Sequence, residues 1–188
     1  LRIVGGSARG RRLAAPPDLS IRPTADKVRE AVFDLLGPGA PGTRVLDLFS
    51  GTGALGLEAV SRGAARAVLV ERDHRALALI AENARRCGFE DRVEVVRADA
   101  LRHLASAPPA GGYDLVLLDP PYRQGLAAEA LALLVRPGWL APGARVVVET
   151  EAGLELPPPP PLALDRSRRY GDTAVHLLEG PEPPGPMG

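Results

Sequence analysis

The 188-residue chain is short of everything that staples a small fold. It has a single cysteine, Cys87, so no disulfide can close within it, and a reducing compartment, the cytoplasm, is expected. Three histidines, His74, His103 and His176, stand far apart with none of the spacing of a metal site, so no metal is expected. No apolar run approaches the ~20 residues that cross a bilayer, and the start LRIVGGSARG has no signal-peptide core, so no membrane partner is expected. Net charge is missing too, because 23 basic side chains balance 23 acidic ones. The balance is uneven along the chain. Arg2, Arg9, Arg11 and Arg12 crowd the first 17 residues with no acid among them, and Arg166, Arg168 and Arg169 form a second basic cluster. Local patches set attraction to a polyanion, so a neutral total leaves such a partner open.

What is present reads as one compact domain, which at this length buries roughly 70% of its extended-chain surface without staples. LRIVGG and RRLAAP, joined by Gly-rich GGSARG, suggest a basic hairpin arm over residues 1–20. RPTADKVREAVFDLLG predicts a helix capped by Thr24, with Val28, Val32, Leu35 and Leu36 on its apolar face. Beyond it, apolar β-branched runs at 44–49, 67–72, 92–99, 113–119 and 144–150 alternate with helical stretches. Near-continuous apolar strands between helices indicate an α/β fold, a mostly parallel sheet covered on both faces. LALDRSRRYGDTAVHLLEG predicts a closing hairpin around Gly171-Asp172, for seven strands in the sheet. The main domain is expected over 21–180 and a disordered tail over 181–188; the prolines at 157–161 read as a stiff spacer.

Two stretches carry chemistry. In VLDLFSGTGALGLEAV, a strand meets a helix through Gly51, Gly53 and Gly56, spaced G-x-G-x-x-G. Glycines there let the backbone approach a ligand, and Glu71, 20 residues after Gly51, ends the next strand where a carboxylate takes ribose hydroxyls. The spacing alone fits either a dinucleotide or another nucleoside. Asp47, ending the first strand, would oppose a pyrophosphate but suits the amino group and sulfonium of S-adenosylmethionine, and Asp99 ends the third strand within reach of an adenine amine. This pattern resembles the class I S-adenosylmethionine-dependent methyltransferases, Rossmann-like in fold.

The second stretch is Asp119-Pro120-Pro121-Tyr122 at the end of the fourth strand. The amine of a nucleobase is a poor nucleophile because its lone pair is delocalised into the ring. Asp119 can accept one of its N–H groups and the Pro120 carbonyl the other, which turns the lone pair towards a methyl donor. Tyr122 offers a flat face for stacking, worth ~1–3 kcal/mol per base. A base inside a helix cannot reach such a pocket unless it is flipped out or already unpaired. Methylation at pyrimidine C5 would need a cysteine nucleophile, and Cys87 lies in a predicted helix away from this loop.

RIVGGSARGRRL, RPTADKVREAVFDLL, DLFSGTGALGLEAVSRGA, LDPPY and RRYGDTAVHLLE together resemble the bacterial 16S rRNA (guanine(966)-N(2))-methyltransferase family, from Arg2 to about Glu179. The resemblance implies methyl transfer from S-adenosylmethionine, leaving S-adenosylhomocysteine, to guanine N2 of 16S rRNA in the small ribosomal subunit. It implies catalytic roles for Asp119, Pro120 and Tyr122. Cofactor contacts are implied for Arg22, Thr24, Asp47, Phe49, Gly51, Gly53, Glu71, Arg72, Asp99 and Ala100, with the Arg22-Pro23-Thr24 segment closing over the cofactor. RNA contacts are implied for Arg9, Arg11, Arg12, Pro121 and Arg168, the arginines positioning phosphates rather than reading sequence. A monomer is expected. The rivals are an N6-adenine methyltransferase on DNA or RNA, a dinucleotide-dependent oxidoreductase, and a non-catalytic RNA-binding factor.

Overall fold

The computed structural model describes residues 1–16, 23–37, 40–122 and 125–180, with side chains in the first helix from Asp26 onward. The expectations placed on Arg22, on the side chain of Thr24 and on the tail 181–188 lie outside the described residues. The elements run α1 (Pro23–Leu36), β1 (Arg44–Leu48), α2 (Ala54–Ser61), β2 (Arg66–Glu71), α3 (His74–Cys87), β3 (Val93–Arg97), α4 (Ala100–Ala105), β4 (Tyr113–Leu118), α5 (Leu126–Leu134), β5 (Leu140–Glu151), β6 (Ala163–Tyr170) and β7 (Thr173–Glu179).

The seven strands form one sheet in the order β3-β2-β1-β4-β5-β7-β6. β1 to β5 are parallel, and the β6–β7 hairpin adds two antiparallel strands beside β5. Side chains alternate across a strand, so each inner strand feeds two cores. On β4, Leu115 and Leu117 join the core under α1, α2 and α3, while Val116 and Leu118 join the one under α4 and α5. Each such fully buried aliphatic side chain contributes about 1.5–3 kcal/mol. Local signals place the helices. Asp73 caps α3 by accepting from the backbone of Arg75 and Ala76, Ile80, Ala84 and Cys87 fall on its buried face, and Gly88 ends it in a left-handed turn.

Two elements differ from the sequence-based expectation. β5 begins at Leu140 rather than Ala144, because Pro142-Gly143 is absorbed as an irregularity in the β4–β5 register. The N-terminal segment shows one antiparallel bridge, Arg2 to Arg12, in place of two strands. Hairpin bonds flank it, Ile3 N–H to the Arg11 carbonyl and Leu13 N–H to the Leu1 carbonyl, both at 3.0 Å. The segment also bonds to α2: Ser7 N–H donates to the Ser61 carbonyl at 2.8 Å and Ala8 N–H to Ser61 Oγ at 2.9 Å. Ile3, Ala8 and Leu13 are buried in the first core, so this segment is packed on the body.

Candidate active site

The strand order reverses direction between β1 and β4, and a crevice opens at the carboxyl ends of strands beside such a point. Here it is a cavity of about 580 Å³, walled by the glycine loop, the ends of β2 and β3, and Asp119 to Tyr122. The loop is built from the bottom up. Ser50 Oγ donates to the Asp47 carbonyl at 2.7 Å, and Gly53 N–H to the Ser50 carbonyl at 2.7 Å, which closes the turn. Gly53 sits at φ 77, a left-handed conformation, and a Cβ on it would lie 2.9 Å from Leu69. A Cβ on Gly56 would meet Asp47 Oδ2 at 2.9 Å and Leu69 at 2.8 Å, so only glycine lets α2 come this close to β1 and β2. Phe49, at φ 61, is the single non-glycine residue with positive φ among those described. That turn breaks strand alternation and packs its ring on the second core, where it lines the cavity. Such strain persists only where the surroundings enforce it, often at ligand sites.

Glu71 serves the loop as much as any ligand. Its Oε2 accepts Gly51 N–H at 2.9 Å, and Oε1 accepts Arg72 N–H at 2.8 Å and Asp73 N–H at 2.9 Å. Asp99 caps α4 through the N–H groups of Leu101 and Arg102, both at 3.1 Å, and its Oδ2 lies 3.6 Å from the Arg72 guanidinium. Phe49, Gly51, Glu71, Arg72, Asp99 and Ala100 all line the cavity together with Asp119, Pro120, Pro121 and Tyr122. The structure does not bring Asp47 or Gly53 to that wall. Asp47 is 1% exposed and lies one layer beneath the loop, with Oδ2 accepting Gly56 N–H at 2.9 Å. The reason is register: Asp47 stands level with Leu69 and Leu117, one side-chain layer below Glu71 and Asp119. Arg9, Arg11, Arg12 and Arg168 are exposed on the N-terminal segment and β6, outside the cavity wall. Among the described residues, no group of three His, Cys, Asp or Glu side chains is placed to hold a metal.

The electrostatics of this end of the sheet are those of crowded acids. Burial pushes the Asp47 carboxyl up to about 8, against the Gly56 N–H that favours its anion, with Asp119 and Glu71 adding repulsion. Asp119 keeps accessible surface on the cavity side while protein crowds its other sides, and desolvation raises it to about 6. Glu149 was not foreseen. The β4–β5 register runs to Leu118 opposite Val148, so Asp119 and Glu149 follow side by side on the same face. Burial, then Asp119, holds Glu149 well above the usual carboxylate range. The available signal was its place: it ends the apolar run of the fifth strand as Asp119 ends that of the fourth.

A consequence for stability follows from Asp47. A carboxyl raised from 3.8 to about 8 keeps in the folded chain a proton that the unfolded chain releases. Stability from this group is complete below about pH 4, and is lost as pH rises towards 8. Asp47→Asn keeps an oxygen for Gly56 and removes the titration, so the fall in urea midpoint between pH 5 and pH 8 should be shallower than in the parent. Asp119 and Glu149 are shifted the same way and leave a residual slope. An equally steep fall in the variant would refute the assignment.

Residues 1–179 match the model of the family described as Conserved hypothetical protein 95. Ribosomal RNA small subunit methyltransferase D of Escherichia coli is 39% identical over 180 residues, covering 95% of this chain and 89% of that one. The protein of that name from Haemophilus influenzae is 34% identical over 181 residues, covering 95% and 93%. The chain belongs to this family. The solved structure of the Escherichia coli protein yhhF superposes with a TM-score of 0.85 at 36% identity, covering 97% of this chain and 99% of that one. An RNA methyltransferase from Salinibacter ruber, solved in complex with S-adenosyl-L-homocysteine, shares the fold at TM-score 0.63 and 23% identity, covering 86% and 95%. The fold is that of the class I S-adenosylmethionine-dependent methyltransferases, with the family's N-terminal segment packed on α2.

Proposed function

We propose that the protein is an rRNA methyltransferase that moves a methyl group from S-adenosylmethionine to the exocyclic N2 of a guanine in 16S rRNA. The observation that carries this reading is the sharing of one cavity by Glu71 and Asp99 with Asp119, Pro120 and Tyr122. The relatives named for the small ribosomal subunit give the substrate class.

The residues present fit the cofactor. A cavity of about 580 Å³ suits a nucleoside-sized ligand, and Phe49 and Ala100 offer apolar surface to its rings. Glu71 has about four acceptor sites, three of them taken by backbone N–H groups, which leaves one for a ribose hydroxyl. Asp99 would accept from the adenine amine. Asp47 supports from beneath: its Oδ2 holds the Gly56 N–H under the loop. S-adenosylmethionine supplies an electrophilic methyl group on a sulfonium.

The chain's own part is orientation. Asp119 and the Pro120 carbonyl each take one N–H of the target amine and turn its lone pair towards the methyl carbon. Proline at 120 and 121 adds no competing N–H. Asp119 then holds the proton that the amine gives up once its N–C bond has formed. Tyr122, 41% exposed, receives the face of the unpaired base. Exposed Arg9, Arg11, Arg12 and Arg168 would bind phosphates, and a monomer working on small subunits in the cytoplasm suits this chemistry.

The test is to react the protein with isotopically labelled S-adenosylmethionine and small ribosomal subunits lacking the modification, then digest the rRNA and analyse its nucleosides. N2-methylguanosine at a single position is expected. N6-methyladenosine would replace this reading with the adenine one, and binding of NAD in place of S-adenosylmethionine would replace it with an oxidoreductase.

A further inference from the structure

Tyr122 lies beyond the end of β4, exposes 41% of its surface, and must nevertheless hold one orientation to receive a base. Its hydroxyl meets Thr173 Oγ1 at 2.8 Å, across 51 residues of sequence. Thr173 is the first residue of β7 and pairs with Glu151 of β5 and Tyr170 of β6, so its position belongs to the sheet and not to a loop. The turn that delivers it is pinned as well. Ala152 N–H donates to the Asp172 carbonyl at 2.8 Å, and Arg169 Nε to the Gly171 carbonyl at 2.9 Å. The cavity opens on the other side of Asp119, against β2 and β3, whereas Thr173 stands on the β5–β7 side.

We infer that Thr173 is a positioning residue for the target base: its hydroxyl anchors the Tyr122 phenol to the β6–β7 hairpin, which forms the far wall of the base pocket. This rests on the proposed reading of Asp119 to Tyr122 as the amine-methylation site. The physical reason is preorganisation. A free tyrosine outside the regular elements would have to be ordered each time a base docks, and a ring tethered at its tip has already lost that freedom. The phenol remains a neutral hydroxyl: desolvation raises it above its usual value, and Asp119, Glu149 and Glu151 oppose ionisation further, against the Thr173 bond. It can therefore donate to or accept from Thr173 with no change of charge at neutral pH.

The hairpin thereby acquires a task in RNA binding. Arg166, Arg168 and Arg169 lie on β6, exposed along nearly its whole length, on the strand that shares the turn with Thr173. Phosphates bound there and a base stacked on Tyr122 would rest on one rigid unit.

The experiment measures kcat and KM for unmodified small ribosomal subunits, and S-adenosylmethionine affinity by calorimetry, in four variants. Thr173→Val keeps the shape and removes the hydroxyl, and should lower kcat/KM for the subunit about three- to tenfold with cofactor affinity and melting temperature unchanged. Tyr122→Phe should give the same loss. The double variant should lose no more than either single, because both remove one bond. Thr173→Ser, which keeps a hydroxyl, should restore most of the activity. Parent-like kinetics in Thr173→Val, or losses that multiply in the double variant, overturn the inference and leave the methyltransferase reading standing. A parent enzyme that methylates no amine on the subunit overturns both.

Discussion

Asp119→Ala should lower kcat for rRNA methylation by about 10²–10³-fold while leaving S-adenosylmethionine affinity close to that of the parent. The magnitude is that of removing one prepositioned hydrogen-bonding group from a reacting centre, since the substituted residue no longer takes an amine N–H. Cofactor affinity is spared because Glu71, Asp99 and the glycine loop hold their geometry through contacts that do not involve Asp119. Asp119→Asn separates acceptor from charge. Its amide oxygen can still accept one N–H, so it should retain more activity than alanine. The parent carries a further signature. With Asp119 raised to about 6, the acceptor form is lost as pH falls through that value, and kcat should drop about tenfold per unit on the acid side. Asp119 interacts electrostatically with Glu149, Asp47 and Tyr122, and Arg29 of α1 acts on Glu149 from the packed helix, so the limb belongs to the group of acids. It should be shallower in Asp119→Asn, where only the remaining acids titrate. Activity in Asp119→Ala equal to that of the parent, with subunits as substrate, would remove Asp119 from the mechanism.

The sheet and the cavity were legible for a physical reason. Inner strands buried on both faces are largely apolar, so an acid at their ends stands out, and Glu71 at the end of β2 and Asp119 just after β4 are such acids. The prolines after Asp119 made the stop unmistakable. What escaped depends on register and on approach between elements. Whether Asp47 faces a ligand or a core turns on its standing level with Leu69 and Leu117 rather than with Glu71, and on how closely α2 lies to β1. Glu149 read as the end of one more strand, because only the pairing of β4 with β5 sets it beside Asp119. The N-terminal residues were too few for their alternation to show that Ile3, Ala8 and Leu13 are core, and their partner groups on α2 are 53 to 56 residues further along the chain.

Glu58 is the clearest case of a residue hidden inside a motif, and its removal should produce the largest loss of stability. It follows the last glycine of G-x-G-x-x-G by two positions, where a charged residue on a helix reads as solvent-facing. In the fold it is fully buried. Oε1 takes Arg62 Nε at 2.7 Å, Oε2 accepts Val4 N–H at 2.8 Å, and Arg29 Nε lies 3.7 Å from Oε2. One carboxylate thus ties the N-terminal segment, α1 and α2 together at the back of the glycine loop. Arg29 is 4% exposed, and its other bonds go to Asp26 Oδ1 at 2.7 Å and to the Arg2 carbonyl. Glu58→Ala would leave the Val4 N–H without its acceptor and the buried Arg29 and the half-buried Arg62 short of a counter-charge. Breaking a buried pair in this way costs about 3–5 kcal/mol, because the orphaned charge keeps its desolvation penalty. In a domain of this size that lowers the melting temperature by about 6–20 °C. Glu58→Gln keeps an acceptor for Val4 but not the charge, and should fall between the two. Thermal denaturation with limited proteolysis of the N-terminal segment would measure both effects, with cleavage before residue 16 accelerated in Glu58→Ala even below its melting point. A melting temperature within 2 °C of the parent would mean that the apolar contacts of Ile3, Ala8 and Leu13 hold the segment without this network.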